Sequence, residues 1–411
     1  MSAITKIDML TRVEGHGSVE LIREGQRVVG ARLNLYESPR LFEALLIGRR
    51  FDEIPDIACR ICSICSTVHK VAALQAVEQA LGISVSEQTR LSRELAVQGG
   101  QIESHALHIF CLALPDYLKM SGIQELAERQ PEKLQLGLGL KKLGNRIQET
   151  VGGRAIHPFN LLVGGVGKTP DPDVLHNLMD RLLDVRDAVM ASIRYISGLN
   201  DILPLLPLHP TCTVSGGSPL FGDCLMTSAS QVIPAHSAAA WLNEQVELHT
   251  NAKVSHFDGI DTFIVGPIAR LSLSPPSGFT YNIADTSIRS SLKARAIELQ
   301  QAVERSVVLI EQLLGSGMRK EEPVVAAALQ GEGCSLIEAP RGVLLHSYRF
   351  DERGICMEAN IVTPTAINQG AIAVSLEHLL AIMEGATDDE IRSAAEILVR
   401  CYDPCISCSV H

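Results

Sequence analysis

The sequence predicts a mainly α protein: a large helical bundle with small β-hairpin and α+β elements in the N-terminal region and ahead of the C-terminal helices. Three observations carry this expectation. Long stretches repeat apolar residues at helical spacing, roughly 90–114, 125–150, 171–200, 225–255, 284–316 and 366–400. Short alternating runs bounded by polar turns stand near both ends of the chain. With 46% hydrophobic and 20% charged residues over 411 positions, the chain can bury a large core. No repeat, low-complexity tract or linker divides it, so one large compact domain spanning 1–411 is expected.

Taken in order, residues of about 1–35 read as strand and turn. GSVELI, the polar REGQ and RVVGARLNL alternate through Val19, Leu21, Val28, Val29 and Ala31, which predicts a hairpin. Pro39–Gly48 reads as a short helix with Leu41, Phe42, Leu45 and Leu46 on its buried side and Glu43 set among them. The segment from Ile57 runs through a cysteine-rich turn into a periodic helix starting near Ser66 or Thr67. Cys65 then falls at a helix N-terminus, where unpaired N–H groups favour a thiolate. Glycine- and proline-rich segments from Gly152 and Leu206 predict irregular loops. The run from Arg341 to Pro364 predicts a second hairpin, about 342–362.

Composition excludes several classes of function. A net charge of −11 without a basic run argues against nucleic acid as a partner. No window approaches eighteen consecutive apolar residues and the opening MSAITKIDML lacks a secretory pattern. A cytoplasmic protein is expected, with any membrane association made through partner subunits. Eleven cysteines dispersed over a long chain suit a reducing compartment rather than a disulfide scaffold. Cys59, Cys111, Cys212, Cys224, Cys334, Cys356 and Cys401 lack short-spaced partners and read as buried small hydrophobes.

The remaining four form two Cys-x-x-Cys pairs, Cys62/Cys65 and Cys405/Cys408. Two intervening residues let both sulfurs of a pair turn toward one centre, and two such pairs supply four soft ligands. Spacing alone leaves a structural four-cysteine zinc site or an iron–sulfur cluster open. Histidines and acids beside both pairs add what a closed zinc site does not require. His69 lies one helical turn past Cys65, placed to donate to the site, and His411 lies three residues past Cys408.

RVEGHG from Arg12, RICSICSTVH from Arg60, GGRAIHP from Gly152, EAPRGVLLH from Glu338, VTPT from Val362 and the closing DPCISCSVH together resemble, in order, the successive segments of nickel–iron hydrogenase large subunits. The resemblance spans nearly the whole chain and points to the shorter cytoplasmic multisubunit classes. It implies a bimetallic site buried between the chain-end segments. Cys62 and Cys405 would be terminal thiolates on nickel, and Cys65 and Cys408 would bridge nickel to an iron carrying one carbon monoxide and two cyanides. Arg341 would point at one cyanide and over the open metal position, while Pro364 and Thr365 would frame the other. His69 and His108 would support the site from behind.

The resemblance further implies reversible heterolytic oxidation of dihydrogen, with Glu14, Arg341 and Cys405 as the catalytic groups and Glu14 the first proton carrier. From the residues alone, Glu14 reads better as a cap or a partner of Arg12, and only the resemblance reverses this. Magnesium or another divalent ion near the C-terminus would take Glu43, the Ile361 carbonyl and His411. No iron–sulfur motif remains beyond the four cysteines, so electrons would pass to an iron–sulfur small subunit and further electron-transfer subunits. Metal-insertion factors and a maturation protease cutting after His411 would complete assembly. Departures from the resemblance are Ser63, where glycine is common, and Ala366 and Ile367, where a tryptophan is frequent. A hydrogenase-derived scaffold without activity is the alternative at this stage.

Overall fold

The computed structural model describes residues 2–7, 10–24, 27–216, 220–257, 262–275 and 286–411. Its architecture is helical, with small antiparallel sheets set at the places where the helices must be held. The N-terminal hairpin forms as Gly17–Glu24 against Arg27–Leu35, and Ser2–Ile7 adds a third strand on its outer edge. Part of its turn, residues 25–26, lies outside the described residues. The later hairpin pairs Gly342–Phe350 with Cys356–Val362, and Gly331–Ala339 extends it into a sheet completed by Phe221–Gly222.

Long helices span Glu87–Leu107, Pro131–Gly152, Pro172–Ser197 and Ser291–Gly315, close to the stretches that periodicity marks. Their starts follow local chemistry. Ser86 accepts the Thr89 N–H, and Asp171 accepts the Asp173 N–H with Pro172 at the first helical position. The expected 90–114 helix changes to a π-helical turn at His108–Ala113. For the 284–316 stretch, residues 284–285 lie outside the described residues. The 366–400 stretch is two helices, Pro364–Ile382 and Asp388–Tyr402. Gly385 at φ 90° breaks the first, and Thr387 with Glu390 forms a capping box for the second.

Two expectations are corrected. Residues 225–255 are not one helix: Cys224–Thr227 and Val232–Pro234 are strands, Ala235–Trp241 is a short helix, and Glu244–Val246 pairs with Lys253–Ser255. A turn through the left-handed Ser230 and the proline at 234 end the helical pattern. The apolar residues instead serve a second core built with Cys212, Val214, Phe263 and Val343. The Pro39–Gly48 helix shrinks to one turn, Phe42–Leu46, after a left-handed Leu41. One turn buries only the i, i+4 pair Phe42 and Leu46, leaving Leu41 63% and Leu45 50% exposed.

The element that positions the cysteines is the helix Ser66–Ala80. Its Val71, Ala72, Ala73, Leu74, Ala76 and Val77 are all buried, so it runs through the core rather than along a surface. It packs on the strands Gly331–Ala339 and Gly342–Phe350. That approach needs glycine: a Cβ at Gly333 would stand 2.1 Å from the Ala76 carbonyl oxygen. Among the described residues, no helix is long and apolar enough to cross a membrane.

Candidate metal centre

The first pair enters the site from the core. Cys62 has extended backbone angles, and Cys65 occupies the N-cap of the helix Ser66–Ala80, its N–H donating to the Cys62 sulfur over 3.3 Å. Ser63 is not among the residues with left-handed backbone angles, so the glycine common at this position is not required here. The second pair differs in local form: its first member, Cys405, is the N-cap of a single turn, Ile406–Ser409, which carries Cys408.

Folding joins the pairs. The Cys62 and Cys405 sulfurs are 3.5 Å apart, Cys65 and Cys408 3.1 Å, Cys65 and Cys405 3.9 Å, and Cys405 and Cys408 2.8 Å. All four are buried, free of disulfides, and mutually within 4.8 Å. Such a cluster is a soft, anionic, water-poor donor set suited to thiophilic metals. Burial opposes the thiolate at Cys65 and Cys408, whereas sulfur hydrogen bonds favour it at Cys62.

Remote segments fix the second pair. The Glu14 stretch runs alongside Cys405 as an isolated parallel bridge, and the Ile406 N–H donates to the Glu14 carbonyl over 3.1 Å. Gly15, at φ 83°, permits this approach, since a Cβ there would stand 2.7 Å from that of Ile406. The Ser407 N–H donates to one Glu14 carboxylate oxygen over 3.0 Å and its hydroxyl to the other. The Cys405 N–H donates to the Thr365 hydroxyl over 2.9 Å, and Pro364 starts the helix that carries Thr365. Arg40 donates to the Ile61 carbonyl over 2.5 Å and to the Ser407 carbonyl, bridging the two cysteine segments.

Charged groups flank the sulfurs. Arg341 is buried, and its Nε and Nη2 donate to the carbonyl and carboxylate of Asp403 over 2.7 and 3.1 Å. Its Nη1 is buried without a hydrogen-bond partner among the described residues. Arg341, Pro364 and Thr365 line one cavity with Cys65, Cys405 and Cys408. Burial opposes the guanidinium charge, but Asp403 and the cysteine sulfurs outweigh it. For Glu14, burial and then the nearby Cys405 raise the pKa to about 8. Arg12 pairs with Asp116 and the Leu112 carbonyl, so it is not the Glu14 partner.

His69 points Nε2 at the Cys408 sulfur, 3.6 Å away, and burial lowers its pKa to about 3. His108 does not line the sulfur cavity: its Nε2 lies 2.8 Å from the Arg400 carbonyl, and Asp403 and Arg341 are among the charged groups that act on it.

Near the C-terminus, His411 Nδ1 lies 2.6 Å from the Cys408 carbonyl, and Nε2 lies 2.8 Å from the Ile361 carbonyl and 3.9 Å from Glu43. Burial lowers the His411 pKa, and a neutral ring donates from one nitrogen only. With Nδ1–H given to Cys408, the Nε2 lone pair, a carbonyl oxygen and a carboxylate converge. Three electron-rich atoms facing one another fit a divalent cation. Lys253, 2.6 Å from the other Glu43 oxygen, neutralises the outer side.

Sequence reasoning missed Arg40, Asp403, Ser407 and His346. Asp403 and Ser407 lie within the DPCISC segment, so proximity to the ligands was their only signal. Arg40 and His346 act through contacts more than two hundred residues away, which local spacing does not reveal.

Comparison with known proteins agrees with this geometry. A family model described as Nickel-dependent hydrogenase matches residues 40–142 and 281–411. Sulfhydrogenase 2 subunit alpha of Pyrococcus furiosus is 35% identical, covering 99% of this chain and 99% of its own length. Sulfhydrogenase 1 subunit alpha of the same organism is 34% identical over 98% of this chain and 97% of its own. The fold matches that of an NAD+-reducing nickel–iron hydrogenase in the H2-reduced state, with a TM-score of 0.88 at 24% identity over 100% of this chain and 99% of the other. The family's cofactor is a nickel–iron centre with carbon monoxide and cyanide on iron, accompanied by magnesium, and four buried thiolates fit its metals. The chain belongs to the nickel-dependent hydrogenase family as a large subunit, the component of an oxidoreductase that oxidises dihydrogen together with a small subunit.

Proposed function

We propose that Cys62, Cys65, Cys405 and Cys408 hold the nickel–iron centre and that Glu14 and Arg341 serve it. The observation that carries this reading is the buried four-sulfur cluster with a raised-pKa carboxyl near Cys405 and an unpartnered guanidinium nitrogen at the cavity wall. The centre, when bound, supplies the redox chemistry that splits dihydrogen into protons and electrons. Cys62, Cys65, Cys405 and Cys408 would hold its two metals through their sulfurs.

The protein's own part is placement and proton handling. Arg341 is held by Asp403 through Nε and Nη2, which leaves Nη1 unpartnered among the described residues; it would donate to an anionic iron ligand, and the Thr365 hydroxyl, accepting from Cys405, keeps its own proton to donate. Glu14, with a pKa of about 8, takes a proton at its carboxylate oxygen and releases it at small cost near neutrality. Ser407 keeps that carboxylate beside Cys405. Glu43, the Ile361 carbonyl and His411 would hold the magnesium-like cation, and the His411 contact to Ile361 ties the terminal segment to the strand Cys356–Val362.

The subunit works as one catalytic unit in a cytoplasmic complex. Electrons leave to an iron–sulfur small subunit and onward electron-transfer subunits, and insertion factors with a maturation protease build the site. The test is infrared spectroscopy of the anaerobically purified complex with nickel and iron analysis and hydrogen-dependent reduction of a viologen dye. Carbon monoxide and cyanide bands with hydrogen uptake are expected. A zinc-only protein without those bands sinks the reading.

A further inference from the structure

His346 and Tyr348 lie two residues apart on the strand Gly342–Phe350 and so on one of its faces, both buried and neither used in the assignments above. They continue a line of contacts that begins at a cysteine sulfur. Cys408 Sγ is 3.6 Å from His69 Nε2, His69 Nδ1 is 3.0 Å from His346 Nε2, and His346 Nδ1 is 2.6 Å from the Tyr348 hydroxyl. The two imidazoles are tilted by 57°, presenting ring edges rather than stacked faces.

A neutral imidazole has one N–H and one lone pair, so a line of two can donate in only one direction at a time. Its direction at one end therefore fixes its direction at the other. A metal-bound Cys408 thiolate can only accept, which requires N–H at His69 Nε2. His69 Nδ1 then accepts from His346 Nε2–H, and His346 Nδ1 accepts from the Tyr348 hydroxyl. In the opposite polarity, a ring lone pair would face a thiolate.

We propose that Tyr348 is a positioning residue: through His346 it fixes the tautomer and orientation of His69, and so holds a hydrogen-bond donor on the Cys408 sulfur. The proposal rests on the reading that Cys408 is a metal thiolate. A donor on a bridging sulfur draws electron density from it, so the line tunes how strongly that sulfur feeds the metals, and successive donors reinforce one another. Removing the tyrosine hydroxyl removes the donor that satisfies His346 Nδ1 in this polarity, and so what keeps the His346 proton on Nε2, without touching a ligand.

The test is Tyr348→Phe in the assembled, metal-loaded complex, read by infrared spectroscopy and metal analysis beside the wild type. Nickel and iron contents should be unchanged, and the carbon monoxide band should move to lower frequency, because a sulfur without its donor pushes more density onto iron. A band at the wild-type position in a fully loaded variant overturns the proposal. Should Tyr348→Phe fail to fold, the pair His346→Gln and His346→Met decides. Glutamine keeps a donor toward His69 and should leave the band in place, while methionine should displace it downward; an unmoved band in the methionine variant overturns the proposal. Absence of the bands from the wild type would instead remove the metal reading beneath it.

Discussion

Cys62 and Cys65 lead into a helix of 15 residues, all buried but Gln75 and Gln79, whereas Cys405 and Cys408 sit on a turn of 4 residues positioned by side chains from remote segments. The first pair inherits its place from core packing between Ser66–Ala80 and the sheet. The second inherits its place from hydrogen bonds made by Glu14, Arg40 and Thr365. Packing is spread over many atoms and tolerates small losses, while a few polar contacts are individually decisive. The comparison teaches that one cluster can combine a packed half with a hydrogen-bonded half, and that Glu14, the proton carrier proposed above, belongs to the hydrogen-bonded one.

The contrast can be broken most severely at the metal ligands. Cys405→Ser should abolish hydrogen uptake and strip nickel from the protein; viologen reduction and metal analysis check this, and retained nickel with normal turnover would sink the assignment. Next in size, Glu14→Gln should keep nickel while slowing hydrogen–deuterium exchange by about 100-fold or more, as expected for a lost acid–base group. The same variant has a pH signature. Burial raises Glu14 to about 8, so the native state binds its proton more tightly than the unfolded chain does. The stabilisation this gives is complete below pH 4.5 and lost as pH rises through about 8. Measured by denaturant melts, the stability of the wild type relative to Glu14→Gln should fall across that window and then level off.

Smaller effects separate the two halves by mechanism. Leu74→Ala, in the middle of the buried helix, should cost about 3 kcal/mol through the cavity it leaves, with the Cys405 side undisturbed. Arg40→Met should cost about 2 kcal/mol of stability through its lost charged hydrogen bonds. It should also lower nickel retention, because the guanidinium bridges the two cysteine segments. Equal nickel loss in both variants at matched stability would erase the distinction between a packed half and a hydrogen-bonded half.

The same division explains what could be read in advance. The four cysteines were legible because ligand chemistry imposes short spacings, and the long helices were legible because burial imposes a period. Glu14 was marked only through the resemblance of its segment. Arg40 was not legible, since its Ser407 partner stands across the fold, and His346 closes the EAPRGVLLH segment without local spacing showing its contact with His69. The 225–255 segment misled because LMTSASQVIPAHSAAAWL spaces its apolar residues tolerably well for a helix. Its strand Cys224–Thr227 pairs with Cys212–Ser215, outside the segment, and with Val232–Pro234, and Ser230 turns the chain left-handed between Thr227 and Val232. Leu41 and Leu45 misled for a different reason: one helical turn has room for a single buried pair.

Cys62 and Cys405 are separated by 343 positions in the chain. Any metal pair held by both segments is consequently a cross-link as well as a catalyst, closing most of the polypeptide into a ring. Loop-closure arithmetic for a ring of that size gives about 6 kcal/mol of restraint on the denatured ensemble. Loading the centre should therefore lift the thermal transition well beyond what local coordination would suggest, and chelation should loosen regions far from any sulfur.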